Sequence, residues 1–182
     1  MRSEVIAALI AAALPGATWA AEGYVGQQTR DIKALSAEDV ADLAAGRGMG
    51  LAKAAELNHH PGPMHVLELK DQLGLTADQV RAVEASFSRM RAAATTLGAT
   101  LIERERSLDR GFAERRMTSA ELARTTAEIG ALQGQLRAVH LAAHLEMREV
   151  LTDVQVARYD ALRGYADGAA PASPPHHHRH GG

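Results

Sequence analysis

Two stretches of this chain carry apolar residues at heptad spacing over lengths that only long helices use. Val80, Val83, Phe87, Met90, Ala94, Leu97 and Leu101 step by three and four residues without a slip, which is the a/d seam of a helix packed along its length. Leu108 continues the a series and Arg104 interrupts the d series. The second stretch runs through Leu122, Ile129, Leu132, Leu136, Val139, Ala143 and Val150, with Thr125 and Glu146 at intervening d positions. Thr76 with Gln79, and Thr118 with Glu121, have the spacing of capping boxes, in which each side chain satisfies the other residue's backbone N–H. Only a short charged turn, Glu114 to Thr118, separates the stretches. A connection that short makes long helices antiparallel neighbours. The spacing therefore predicts helices over 77–116 and 119–149, and an all-α fold built on a long antiparallel helical hairpin. At 1.5 Å per residue the first helix would be about 60 Å long. Gly98 and Gly111 read as costs that so long a helix tolerates.

Shorter elements flank the hairpin. Residues 21–35 show no strong periodicity. Ser36 with Asp39 opens a short helix that Gly46 and Gly48 stop, and a second spans 51–57. His59-His60-Pro61-Gly62-Pro63 is a clear break. A third helix is expected from Pro63, a favourable first-turn residue, to Gly74. Thr152 with Gln155 opens a last helix that ends near Gly164. Aromatics are only 3% of the chain, too few for a thick core but enough for packed helices. The stretch 166–182 is Ala, Pro, Gly and His, and its composition predicts disorder.

The first twenty residues read as a secretory signal. Arg2 precedes an apolar run from Val5 to Leu14, Pro15 and Gly16 break it, and Thr18-Trp19-Ala20 places small residues at −3 and −1. Cleavage is expected after Ala20, giving a periplasmic protein. The apolar run is about half the ~20 residues needed to span a bilayer. The expected organisation is a signal peptide (1–20), an arm with short helices (21–62), a hairpin domain (63–165) and a His-rich tail (166–182).

Several functions are disfavoured. Net charge is −2, and basic residues alternate with acidic ones, so nucleic acid is not an expected partner. No cysteine is present, which removes thiolate chemistry and leaves His, carboxylate and Met as the possible metal ligands. No nucleophile motif or phosphate loop occurs; Gly46-Arg47-Gly48-Met49-Gly50 lacks the Lys that a phosphate loop needs. An enzyme is not expected.

Three clusters could carry chemistry. His140, His144 and Met147 lie at i, i+4 and i+7, within a stripe about 60° wide on one helix. Two imidazoles at that spacing can hold one metal, and a thioether adds a soft donor. The bland alternative is two core histidines with Met as filler. The second cluster is His59, His60, Met64 and His65, of which His59 and His60 suit an ordinary polar loop. The third is His176, His177, His178 and His180, interrupted by Arg179 where an expression tag would be continuous; such tails collect divalent metals with little specificity. Nickel, cobalt, copper and zinc all fit these donors.

Leu75-Thr76-Ala77-Asp78-Gln79 and Leu151-Thr152-Asp153-Val154-Gln155 repeat one pattern, LTxxQ, at the two ends of the hairpin. Together with the signal-like leader and the absence of cysteine, this resembles the Spy/CpxP family of periplasmic proteins, and in particular its heavy-metal sensor and resistance branch of CnrX and ZraP type. The resemblance covers about residues 63–164. It implies a curved hairpin that forms a homodimer. It also implies one of two functions: metal binding in heavy-metal sensing or resistance, or ATP-independent chaperone action on unfolded clients. A membrane sensor protein is a further implied partner. The resemblance favours His65, His140, His144 and Met147 as ligands. The metal-sensor branch carries its His where this chain has Ala143, one residue before His144.

Overall fold

The structure is a computed structural model that describes residues 24–166. The leader and the histidines of the tail lie outside the described residues. Within them the chain is all-helical, with seven α-helices and no strand. The helices are α1 (Ala37–Ala44), α2 (Lys53–Glu56), α3 (Pro63–Glu68), α4 (Lys70–Leu73), α5 (Ala77–Ala113), α6 (Ser119–Val150) and α7 (Asp153–Arg163).

α5 and α6 form the expected hairpin, antiparallel and packed along their lengths. Arg104 pairs with Glu128 at 3.2 Å nearer the turn, and Arg89 with Glu146 at 2.8 Å nearer the open end. All four expected capping boxes are closed: Ser36/Asp39, Thr76/Gln79, Thr118/Glu121 and Thr152/Gln155. Each replaces water at the otherwise unpaired N–H groups of a helix start.

Three boundaries differ from expectation. α5 stops at Ala113 rather than near Arg116. Arg115 takes a left-handed φ of 54°, and the N–H groups of Arg116 and Met117 turn back to the Gly111 carbonyl. A β-carbon on Gly111 would stand 2.3 Å from Met117 Cε, so the end of that methionine packs on the glycine. The segment expected as one helix from Pro63 to Gly74 is two short ones, parted at Leu69 (φ −100°, ψ 8°). The helix expected over 51–57 is a single turn.

Two apolar clusters hold the helices together. The first joins Ile32 of the arm and Leu43 of α1 to Ala94, Leu101 and Ile102 of α5 and Ile129 and Leu136 of α6. The second closes the open end with Val66, Leu73, Val83, Met147, Leu151, Val156 and Tyr159. Gly98 is no mere cost. A β-carbon there would come within 2.2 Å of the Leu43 carbonyl oxygen, so α1 packs its backbone directly onto α5. The buried face of α5 thus takes in Gly98, and it also includes Ser86 and Ile102, which the heptad seam omits.

Candidate functional site

His140 and His144 lie on α6 between Leu136 of the first cluster and Met147 of the second. Both are buried, at 4% and 8% exposure. One turn of helix separates them, so their rings project from the same face. Both line one cavity of about 270 Å³. The opposite walls come from the Gly48–Gly50 loop, from α2, from the start of α3, from Met90 of α5 and from Arg163 at the end of α7.

Two loops close over the imidazoles, and at Gly62 the approach is close enough to favour glycine. A β-carbon on Gly62 would stand 3.0 Å from Cε1 and 3.2 Å from Nε2 of His144. One on Gly48 would stand 3.7 Å from Nδ1 of His140. Met49 and Gly50 take left-handed backbone, with φ of 45° and 77°, which turns the first of these loops.

The tautomer of His144 follows from its neighbour. Its Nδ1 is 2.7 Å from the His60 carbonyl oxygen. A carbonyl only accepts, so Nδ1 carries a proton, and the tautomer this selects for the neutral ring has its lone pair on Nε2. His140 Nε2 is buried with no hydrogen-bond partner. Burial, and then the neighbouring His144, hold the His140 pKa below its ordinary 6.5, so its ring is neutral near pH 7. A neutral imidazole with an unengaged nitrogen is the state that binds metal.

Glu56 reaches the same wall, but its charge is shared. It accepts a hydrogen bond from Tyr159 Oη at 2.5 Å and lies 3.7 Å from Arg163 Nε and 3.6 Å from His144 Nδ1. Tyr159 is fully buried, and that burial, with Glu56 beside it, pushes its hydroxyl pKa far up, so it remains a donor.

The remaining candidates fall in different places. His65 lines the cavity, and its Nδ1 pairs with Glu68 at 2.9 Å. Met147 is fully buried in the second apolar cluster and is not a wall of the cavity. His59 bonds Asp160 at 2.8 Å and ties its loop to α7, while His60 turns to the Asn58 carbonyl at 2.7 Å; neither lines the cavity. His176, His177, His178 and His180 lie outside the described residues. Among the described residues no three His, Asp or Glu side chains converge as a metal cluster.

Spacing alone did not single out Met49, Met90, Lys53, Glu56 and Arg163 as cavity residues. Met90 was legible only as a seam position, and Met49 only as part of a glycine-rich loop. The others come from elements too short to show periodicity. No family model matches the chain, and no curated protein and no solved structure is similar enough to count as a match.

Proposed function

We propose that this chain is a transition-metal-binding protein of the bacterial periplasm, acting in heavy-metal sensing or resistance. One observation carries the reading: His140 and His144, a turn apart on α6, are both buried on the wall of a single cavity, and His140 Nε2 is buried with no hydrogen-bond partner. Buried polar atoms are nearly always partnered, and an ion bound between the two rings would partner this one. The His60 carbonyl would act as the outer support that fixes the ring and tautomer of a liganding His144. His65 stands at the rim as a further nitrogen donor. The tail histidines would collect metal less selectively.

The test is calorimetric titration with copper, nickel, cobalt and zinc. The chain used has His176, His177, His178 and His180 replaced by Ala, which silences the tail without shortening the protein. About one ion per chain is expected, and His140→Ala with His144→Ala should abolish binding. Absence of binding in the tail-silenced chain would sink the reading. The leading alternative would then be an ATP-independent chaperone of the Spy type, tested by suppression of client aggregation.

A further inference from the structure

We infer that the cavity selects a soft monovalent ion, Cu(I) or its analogue Ag(I), over divalent metals. The inference rests on the metal-binding reading above and names its metal class. Five methionines fall among the described residues, at 49, 64, 90, 117 and 147. Three of them, Met49, Met64 and Met90, line this one cavity together with His65, His140 and His144. The chain has no cysteine, so thioether sulfur is its only soft donor, and the chain concentrates it where its two buried imidazoles are.

Packing does not account for two of these thioethers, Met49 and Met64. A methionine used as core filler is buried, as Met147 is at 0% exposure. Met49 and Met64 are 42% and 45% exposed. They come from separate elements, one in the loop after α1 and one in the first turn of α3. Their side chains are unbranched and free to turn inward. A flexible thioether at a cavity rim is the donor that Cu(I) accepts in place of water.

Charge points the same way. Lys53, Arg163 and Glu56 are the charged walls, so apart from its histidines the lining carries a net positive charge. One oxygen of Glu56, Oε1, already accepts from Tyr159 and lies 3.7 Å from Arg163 Nε. A divalent ion is held better where anionic oxygen or thiolate offsets its charge, and the one carboxylate lining this cavity, Glu56, shares it with two cationic side chains, Lys53 and Arg163. A monovalent ion held by neutral nitrogen and sulfur meets half the repulsion at each distance.

The experiment is anaerobic competition for Cu(I) against a colorimetric chelator, with Zn(II) measured in parallel, on the tail-silenced full chain. Met64→Leu with Met90→Leu keeps side-chain volume nearly constant, and unchanged helical circular dichroism confirms folding. That pair should weaken Cu(I) by more than the roughly 10–100-fold that loss of an outer-shell partner costs, and leave any Zn(II) binding unchanged. X-ray absorption at the copper edge should show sulfur scattering. Tight Cu(I) binding that both leucines leave intact, or a copper shell of nitrogen and oxygen alone, overturns the soft-ion inference while the His140/His144 site stands. Zn(II) or Ni(II) bound more tightly than Cu(I) overturns it as well. No metal bound at all removes the underlying reading. Binding of phosphate at Lys53 and Arg163 in place of a metal would overturn both.

Discussion

Gln79 and Gln155, 76 residues apart, exchange side-chain hydrogen bonds: Gln79 Nε2 donates to Gln155 Oε1 at 2.8 Å, and Gln155 Nε2 donates to Gln79 Oε1 at 3.1 Å. Each oxygen also accepts from the N–H of its own cap, Thr76 or Thr152, at 3.0 Å. Each amide nitrogen reaches one more carbonyl, that of Val150 at 3.0 Å from Gln79 and that of Leu73 at 3.4 Å from Gln155. The repeated LTxxQ pattern is thus two helix caps clasped together. It ties the start of α5 to the start of α7 and closes the open end of the hairpin, beside the second apolar cluster.

The clasp makes these glutamines worth more than caps. A capping contact alone contributes about 0.5–2 kcal/mol. Gln79→Ala also strips a half-buried partner from Gln155, which adds about 1 kcal/mol or more. We expect a loss of roughly 2–3 kcal/mol in urea unfolding for either single alanine variant. The double variant should cost less than the sum, with a coupling of about 0.5–3 kcal/mol. Strict additivity would show that the two amides act only as separate caps.

Gly98, Gly130 and Gly134 are alike in sequence, each a glycine inside a long helix. The structure separates them. A β-carbon at 98 meets the Leu43 carbonyl at 2.2 Å, whereas nothing lies within 4 Å at 130 or 134. Gly98→Ala should therefore push α1 off α5 and cost about 1–3 kcal/mol. Gly130→Ala and Gly134→Ala should each stabilise by about 0.5–1 kcal/mol. Thermal melts of the three variants decide this, and equal shifts would refute the close approach of α1.

Leu101 and Leu97 both belong to the heptad seam, but Leu101 is buried at 5% while Leu97 only packs against the edge of the first cluster. Leu101→Ala should cost about 2–5 kcal/mol, and Leu97→Ala clearly less. The reverse order in chemical denaturation would mean the seam is rotated about the α5 axis.

Local chemistry made much of the fold legible. Capping boxes and heptad spacing act within a few residues, so Thr76/Gln79, Thr118/Glu121 and Thr152/Gln155 mark their helices from sequence alone. Ile32 was not legible, because one buried residue in an irregular arm has no period to reveal it. Spacing placed Met147 on the stripe of His140 and His144. Helical phase does not say which neighbour fills the groove, and Val66, Val83 and Tyr159 fill it with a dry core. The cavity itself arises where loops separated by glycines cross α6, a tertiary event with no signal in any one segment.

The buried His140 also predicts how the metal-free protein responds to acid. Burial, and then the neighbouring His144, hold its folded pKa below 6.5, while in the unfolded chain the same ring titrates near the ordinary value of about 6.5. As pH falls through that value, the unfolded chain takes up a proton that the folded chain refuses. The unfolded state then binds more protons, so stability must fall with pH. The contribution is fully present above about 6.5 and declines from there down to the folded pKa, below which this ring adds no further slope. With chelator present to strip metal, the melting temperature should therefore drop between pH 7 and pH 5, ahead of carboxylate titration. His140→Gln should flatten that part of the profile, because glutamine carries no titrating proton. A parent profile level across this range, or a variant profile with the same slope, would show that the His140 ring is not held neutral by the fold.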